Sequence, residues 1–160
     1  MELATWHAPP GDTIPNNPRF PVLLYRGVEA AATGADAARE LFARHGWGGS
    51  WVDGVFDYHH FHSTSHEVLA VVAGFATLEL GGPQGEAFDV AAGDVVVLPA
   101  GTGHRRASAR DGFTVVGAYP AGQEDYDLLR SADGAARERI AGLGAPPDDP
   151  VGGEGVSRWR

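Results

Sequence analysis

The sequence predicts an all-β domain, a small barrel or sandwich, and three observations carry that expectation. Between Trp51 and Tyr119, short runs of apolar and β-branched residues recur at roughly 8–12-residue spacing. Turn residues punctuate these runs: Gly74, Gly81-Gly82-Pro83, Gly93-Asp94, Pro99–Gly103 and Asp111-Gly112. The one strong helical pattern lies ahead of these runs and none alternates with them, so alternating β/α units are disfavoured. At 160 residues the chain is expected to form one domain, 1–160, with its barrel core at about 50–120.

The elements follow in order. Residues 1–20 are rich in proline and turn residues (His7-Ala-Pro-Pro-Gly-Asp, Ile14-Pro-Asn-Asn-Pro) and read as an extended N-terminal arm. Pro21–Arg26 reads as a short strand. A helix then starts at Thr33 or Asp36, repeats apolar residues at Ala37, Ala38, Leu41 and Phe42, and stops at Gly46. Candidate strands are Trp51–Phe56, Tyr58–His62, Glu67–Val72, Phe75–Leu80, Ala87–Val90, Val95–Leu98, His104–Ala107 and Phe113–Tyr119. Val68-Leu-Ala-Val-Val72 is apolar on both faces, which predicts cover from the barrel core on one side and a second sheet or subunit on the other. Residues 133–142 suggest a short helix, and Ala145–Arg160 a C-terminal tail wrapped around the domain.

Composition narrows the chemistry. The chain has no cysteine and no lysine; its 12 basic residues are all arginine. Thiolate nucleophiles, disulfides and cysteine-ligated metals are thereby excluded. So are Schiff bases, a pyridoxal phosphate anchor and a Walker A phosphate loop. The net charge of −9, without a basic stripe, argues against nucleic acid and anionic membranes as partners. Met1–Pro10 shows no positive segment followed by an apolar run, and no stretch approaches the roughly 20 apolar residues of a membrane helix. The expected location is cytoplasmic. Arg137, Arg139, Arg158 and Arg160 read as a solvated surface.

Against these absences stand seven histidines, four of which (His59, His60, His62, His66) fall within eight positions. In a strand, alternate side chains share a face. His60 and His62 therefore point together, and His59 points away as a structural residue. Two imidazoles so placed reach one ion at roughly 2.1 Å per bond. Glu67 has the wrong parity for a continuous strand, but a turn at Ser63-Thr64-Ser65 would let it join from a neighbouring strand. The turn at Pro99–Gly103 sets His104 at the start of the next strand. Three imidazoles and a carboxylate suit Fe, Mn, Ni, Cu or Zn rather than Ca or Mg. In octahedral geometry they leave two positions for water, substrate or dioxygen.

The spacing G-x5-H-x-H-x4-E-x6-G is filled by Gly54, His60, His62, Glu67 and Gly74, and G-x5-P-x-G-x2-H by Gly93, Pro99, Gly101 and His104. These resemble the two signature motifs of the cupin superfamily. One position departs: Ser108 stands where the second motif usually ends in Asn, a residue that is not a metal ligand in the family. More narrowly, five segments resemble the YjlB-like single-domain cupins: Thr13–Pro18, Tyr58–Leu69, Gly93–Gly101, Val116–Pro120 and Asp149–Gly152. The resemblance implies a small cupin β-barrel (jelly roll), a metal held by His60, His62, Glu67 and His104, and often a homodimer. It implies no particular reaction.

Three further residues are candidates for catalytic roles. Tyr58 shares the predicted face of His60 and His62, and either donates to substrate or bonds a neighbour. His66, next to Glu67 and so facing the opposite way in a regular strand, is either a proton shuttle, a surface or interface histidine, or a partner that orients a ligand. Arg106 shares parity with His104 and either clamps a substrate carboxylate or pairs with Glu79 or Asp89. Trp51, Phe56, Phe75 and Phe113 read mainly as packing, and His7 and His45 show no partner.

The functional expectation is a mononuclear metal enzyme acting on a small-molecule substrate. Iron is the first choice of metal, with Zn, Ni or Mn as the others, and a dioxygenase or other oxidoreductase is the first choice of reaction. The alternatives are a non-redox isomerase, lyase or cyclase, and a non-catalytic module that binds a metal and a small ligand.

Overall fold

The computed structural model describes residues 1–160. Its strands are β1 (Glu2–Trp6), β2 (Val22–Arg26), β3 (Trp47–Asp53), β4 (Glu67–Leu80), β5 (Glu86–Ala91), β6 (Val95–Leu98) and β7 (His104–Pro120). They pair antiparallel in the order β1-β2-β6-β4-β7-β3, with β5 on the second half of β4, forming the expected small β-barrel. Short helices α1 (Glu29–Thr33), α2 (Ala35–Arg44) and α3 (Gly134–Gly142) flank it, and a 3-10 turn at Val156–Trp159 ends the chain.

β4 is the spine. Its first half, Glu67–Ala70, pairs with β6 on one edge and with the end of β7 on the other. Its second half, Phe75–Leu80, lies between β5 and the start of β7. The sequence suggested two strands here and two in β7, because Gly74 and Asp111-Gly112 look like turns. They are bulges instead. From Ala73 to Phe75 β4 takes two steps, while its partners Thr114 to Arg110 take four. The surplus residues loop out at Asp111 and Gly112, both at positive φ, and pairing continues on either side. Gly74, at φ 72°, makes this possible: a Cβ there would lie 2.6 Å from the Arg110 carbonyl oxygen and the Phe113 amide nitrogen.

The doubly apolar run in β4 is buried on both faces. Leu69 and Val71 point into the barrel with Val22, Leu24, Val96, Leu98 and Val115. Val68 and Ala70 point outward, under Ala31, Ala38, Phe42, Val156 and Trp159. The cover on the outer face comes from α1, α2 and the tail of the same chain, so this run calls for no second subunit.

Other boundaries also moved. Residues 2–6 of the supposed arm form β1, paired with β2 from Glu2↔Arg26 to Trp6↔Val22. The single helix is two, broken at Gly34, so neither Thr33 nor Asp36 caps it. α3 was placed correctly and is capped by Asp133, which accepts from the Ala136 amide at 2.8 Å. The rest of the arm is tied down: Asn16 donates to the Gly81 carbonyl at 3.0 Å and accepts from the Gly103 amide at 3.0 Å. That fastens the turn leading into His104.

The tail wraps as expected, on a buried polar knot. The Tyr25 hydroxyl donates to Asp149 at 2.5 Å, and Asp149 accepts the amides of Val151 and Val156. Burial and the Asp149 carboxylate push the Tyr25 hydroxyl well above its usual range. The ring of Trp159 stacks on Phe20 at 5.1 Å between centroids. Three of the four arginines expected to be simply solvated are anchors here. Arg137 donates to the carbonyls of Gly11 and Asp12, Arg139 to the Ser63 hydroxyl, and Arg160 to the carbonyls of Pro146 and Pro147.

Candidate metal centre

Residues 57–66 do not form the predicted strand. Only His60 and Phe61 make isolated bridges, His60 to His104 and Phe61 to Leu129. The convergence of histidines survives because the bridge to β7 replaces strand parity as the positioning device. The ring nitrogens of His60, His62 and His104 lie within 4.8 Å of one another, and all three residues are buried.

The outward nitrogens fix the inward ones. The Nδ1 atom of His60 sits 3.0 Å from the Tyr58 carbonyl oxygen, and that of His104 sits 3.0 Å from the Thr102 carbonyl. The Nδ1 atom of His62 bonds the Asp127 carbonyl. A carbonyl only accepts, so each Nδ1 carries the proton and each Nε2 keeps its lone pair. On the fourth side, one oxygen of Glu67 lies 3.2 Å from His104 Nε2 and 3.5 Å from His62 Nε2. Its other oxygen accepts from the Tyr119 hydroxyl at 2.7 Å, and that hydroxyl accepts from the Trp51 indole at 2.7 Å.

The charge states suit a cation. Burial, with His104 alongside, depresses the His60 imidazole to about 3. Burial would also lower His62, but Glu67 and Asp127 outweigh it and shift that ring upward. Burial opposes ionisation of Glu67, yet His62 and His104 hold it well below the usual carboxylate range. Burial and the Glu67 charge keep the Tyr119 hydroxyl protonated far beyond its usual range. The set therefore puts an ionised carboxylate beside a His60 ring held neutral, and His62, drawn upward by that carboxylate, would give up its proton to a metal. These residues fit a divalent transition ion.

The four donors open onto a cavity of about 490 Å³. Its wall includes Trp51, Asp53, Val55, Phe56, Leu69, Arg106, Tyr119, Tyr126 and Leu128. Arg106 enters it as parity predicted. On β7, His104 pairs with Leu80 and Arg106 with Leu78, both inward leucines, whereas Arg105 pairs with Glu79 on the outside. Accordingly Arg105, not Arg106, bonds Glu79, at 3.0 Å, and Asp89 is taken by the Thr77 hydroxyl. His59 lies outside in the same group, 3.7 Å from Glu79.

Tyr58 and His66 are placed otherwise. Without a regular strand, the Tyr58 ring leaves the cavity wall to stack on Phe56 at 4.9 Å, with Arg130 over its other face at 4.3 Å. What Tyr58 contributes to the centre is its main-chain carbonyl. His66 is fully buried away from the cavity: Nδ1 accepts from the Ala100 amide at 2.9 Å and Nε2 donates to the Gly144 carbonyl at 2.8 Å. Both nitrogens are committed, so it holds the segment beside Glu67 as a structural partner.

Sequence reading missed Tyr119, Tyr126 and Asp127. The Asp127 carboxylate accepts the Ser63 amide at 2.6 Å, the Ser63 hydroxyl, and the Thr64 amide at 3.3 Å. Tyr126 stacks on Tyr119 at 4.2 Å and meets His62 edge-on at 5.0 Å. Tyr119 had a usable signal, since it alternates with Gly117 and Val115 on the inward face of β7. Tyr126 and Asp127 sit in irregular chain, where no periodicity marks them.

A family model described as "Cupin domain" matches residues 51–116. The Bacillus subtilis (strain 168) protein named "Uncharacterized protein YjlB" is 38% identical over 156 residues, covering 96% of this chain and 92% of its own. Among solved structures, an acireductone dioxygenase from Bacillus anthracis with a cadmium ion in its active centre is similar at 23% identity and a TM-score of 0.40. That likeness covers 56% of this chain and 60% of the other.

Proposed function

The chain belongs to the cupin family, in the group of YjlB, and we propose that it is a metal-dependent enzyme whose ion is held by His60, His62, Glu67 and His104. The observation that carries this reading is the convergence of three buried imidazoles whose Nδ1 atoms are all spent on main-chain carbonyls. With the Nδ1 protons committed in this way, the neutral rings turn their Nε2 lone pairs toward one point beside the Glu67 carboxylate, the arrangement that a cation would use.

We read the substrate as a small organic molecule, the metal as iron and the reaction as an oxidation. Bound there, the ion supplies Lewis acidity and, as iron, redox chemistry with dioxygen. The chain's own residues supply the setting. Glu67 contributes the one negative charge of the donor set. The Tyr119 hydroxyl donates a hydrogen bond to Glu67 Oε2, which leaves the other carboxylate oxygen beside His62 and His104. Trp51, Phe56, Tyr126 and Leu128 form an apolar wall that limits water. The homodimer and the cytoplasmic location are parts of the same proposal, tested by light scattering and by fractionation; no helix is long and apolar enough to cross a membrane.

Elemental analysis of anaerobically purified protein tests the reading. Stoichiometric iron with substrate-dependent oxygen uptake is the expected result. Stoichiometric zinc without oxygen uptake would replace the oxidative reaction with a non-redox isomerase or lyase. Equal metal content in wild type and His104→Ala would remove the metal site altogether.

A further inference from the structure

We propose that Arg106 is the anchor for an anionic substrate, a small carboxylate with a planar, apolar body that sits between the guanidinium and the imidazole cluster. The proposal rests on the metal reading only for which groups meet the far end of the molecule.

Three observations lead to it. First, Arg106 faces the cavity, on the same face of β7 as His104 and two residues further on. Two strand residues span about 7 Å. A molecule no larger than a substituted benzene ring can therefore touch both ends. Secondly, its guanidinium is uncommitted. The backbone amide bonds the Phe56 carbonyl at 2.9 Å, which fixes the strand, but the side chain has neither a hydrogen bond nor an ion pair in the protein. Its neighbours differ: Arg105 is held by Glu79 and the Asp57 carbonyl, Arg130 lies on Tyr58, and Arg110 lies on Phe75.

Thirdly, the cavity is otherwise suited to a flat apolar body. Trp51, Phe56 and Tyr126 line its wall, with Val55, Leu69 and Leu128 filling in. The acid of the wall besides Glu67, the exposed Asp53, accepts from the Gly54 amide at 2.7 Å and makes no ion pair with Arg106. A half-buried guanidinium left free in a protein of net charge −9 is a planar, two-pronged donor without an acceptor. Carboxylate is the group whose geometry matches it.

The test compares benzoate with its neutral isostere benzamide, by calorimetric titration of metal-free and Co(II)-loaded protein. Wild type is expected to bind benzoate about 10- to 100-fold more tightly than benzamide in both forms, the span of a charge-assisted hydrogen-bond pair. Arg106→Gln should bring benzoate down to the benzamide level and leave benzamide unchanged. Arg106→Lys, which keeps the charge but not the fork, should fall between, and the exposed Arg110→Gln should match wild type. Equal binding of the two probes by wild type, no benzoate binding, or a preference that survives in Arg106→Gln would overturn the proposal. Co(II) absorption reports separately on the ion. Failure to load cobalt with the benzoate preference intact would defeat the metal reading and leave Arg106 standing.

Discussion

The segment that follows β7 is predicted to govern metal affinity from outside the donor set, and Asp127→Ala measures this. The Asp127 main-chain carbonyl takes the Nδ1 proton of His62, while its carboxylate ties down Ser63 and Thr64, the residues after that ligand. Removing the carboxylate loses two strong bonds to Ser63 and two weaker ones to Thr64 at 3.3 Å. Charge-assisted bonds are worth at most about 1.5–3 kcal/mol each. The Asp127 side chain is 25% exposed, which discounts the sum to about 2–3 kcal/mol of stability. The functional consequence is separate. Once the segment is free, the His62 ring loses the partner that fixes its tautomer, and loss of such an orienting bond costs about 10- to 100-fold in metal affinity.

Competition between the protein and a chromophoric chelator for Co(II) measures that affinity, and urea denaturation of the metal-free protein measures stability. Asp127→Asn keeps an acceptor for the Ser63 and Thr64 amides and should stay within a few-fold of wild-type affinity. The reasoning fails if Asp127→Ala loses the expected stability yet binds Co(II) as wild type does, because the segment would then be scaffolding alone.

Three other perturbations have expected outcomes. Tyr119→Phe strips Glu67 of its donor and leaves the Trp51 indole without its acceptor, so urea denaturation should show a loss of about 2–3 kcal/mol. Gly117→Ala would put a Cβ 2.3 Å from the Trp51 ring, displacing the indole from the cavity wall; a red-shifted tryptophan emission and a loss of about 1–3 kcal/mol are expected. Burial lowers the His66 imidazole to about 4, against about 6.5 in an unfolded chain. The unfolded state therefore binds the extra proton between those values, and stability falls as pH drops through that window, by on the order of 3 kcal/mol in all. His66→Asn should flatten that part of the pH–stability curve, and an unchanged slope would show that His66 is not the titrating group.

How much of this was legible depended on periodicity and on what interrupts it. The four proposed donors lie at fixed motif spacings, so His60, His62, Glu67 and His104 were readable although residues 57–66 are not a strand. Arg106 was readable because β7 is regular from His104 onward. Tyr58 misled for the converse reason: its parity argument assumed a strand that a single bridge replaces. Gly74 and Asp111-Gly112 misled because a bulge and a turn use the same residues and the same positive φ, and only the partner strand tells them apart. The pairing of β1 with β2 depends on contacts between residues some twenty positions apart, which no local pattern in Glu2–Trp6 announces.

The centre thus has two sources in the chain. The donors and Arg106 lie within residues 51–116, the stretch that matches the cupin domain model. The carbonyls of Tyr58 and Thr102 that orient His60 and His104 also lie within it, but the groups that orient His62 and Glu67 and shape the opposite wall, Tyr119, Tyr126, Asp127 and Leu128, lie beyond it, on the end of β7 and the irregular chain after it. An ion with one set of preferred distances constrains the first group tightly, because a donor displaced by 1 Å no longer ligates. The second group faces the substrate or the back of a ligand, where a different side chain still fills the volume. Exchange of residues 119–132 between cupins of this group should therefore transfer ligand preference at the wall while leaving metal stoichiometry intact. Arg106, inside the first group, should keep the preference for an anion in every such chimera. A chimera that lost its anion preference without losing metal would assign charge recognition to the segment and not to Arg106.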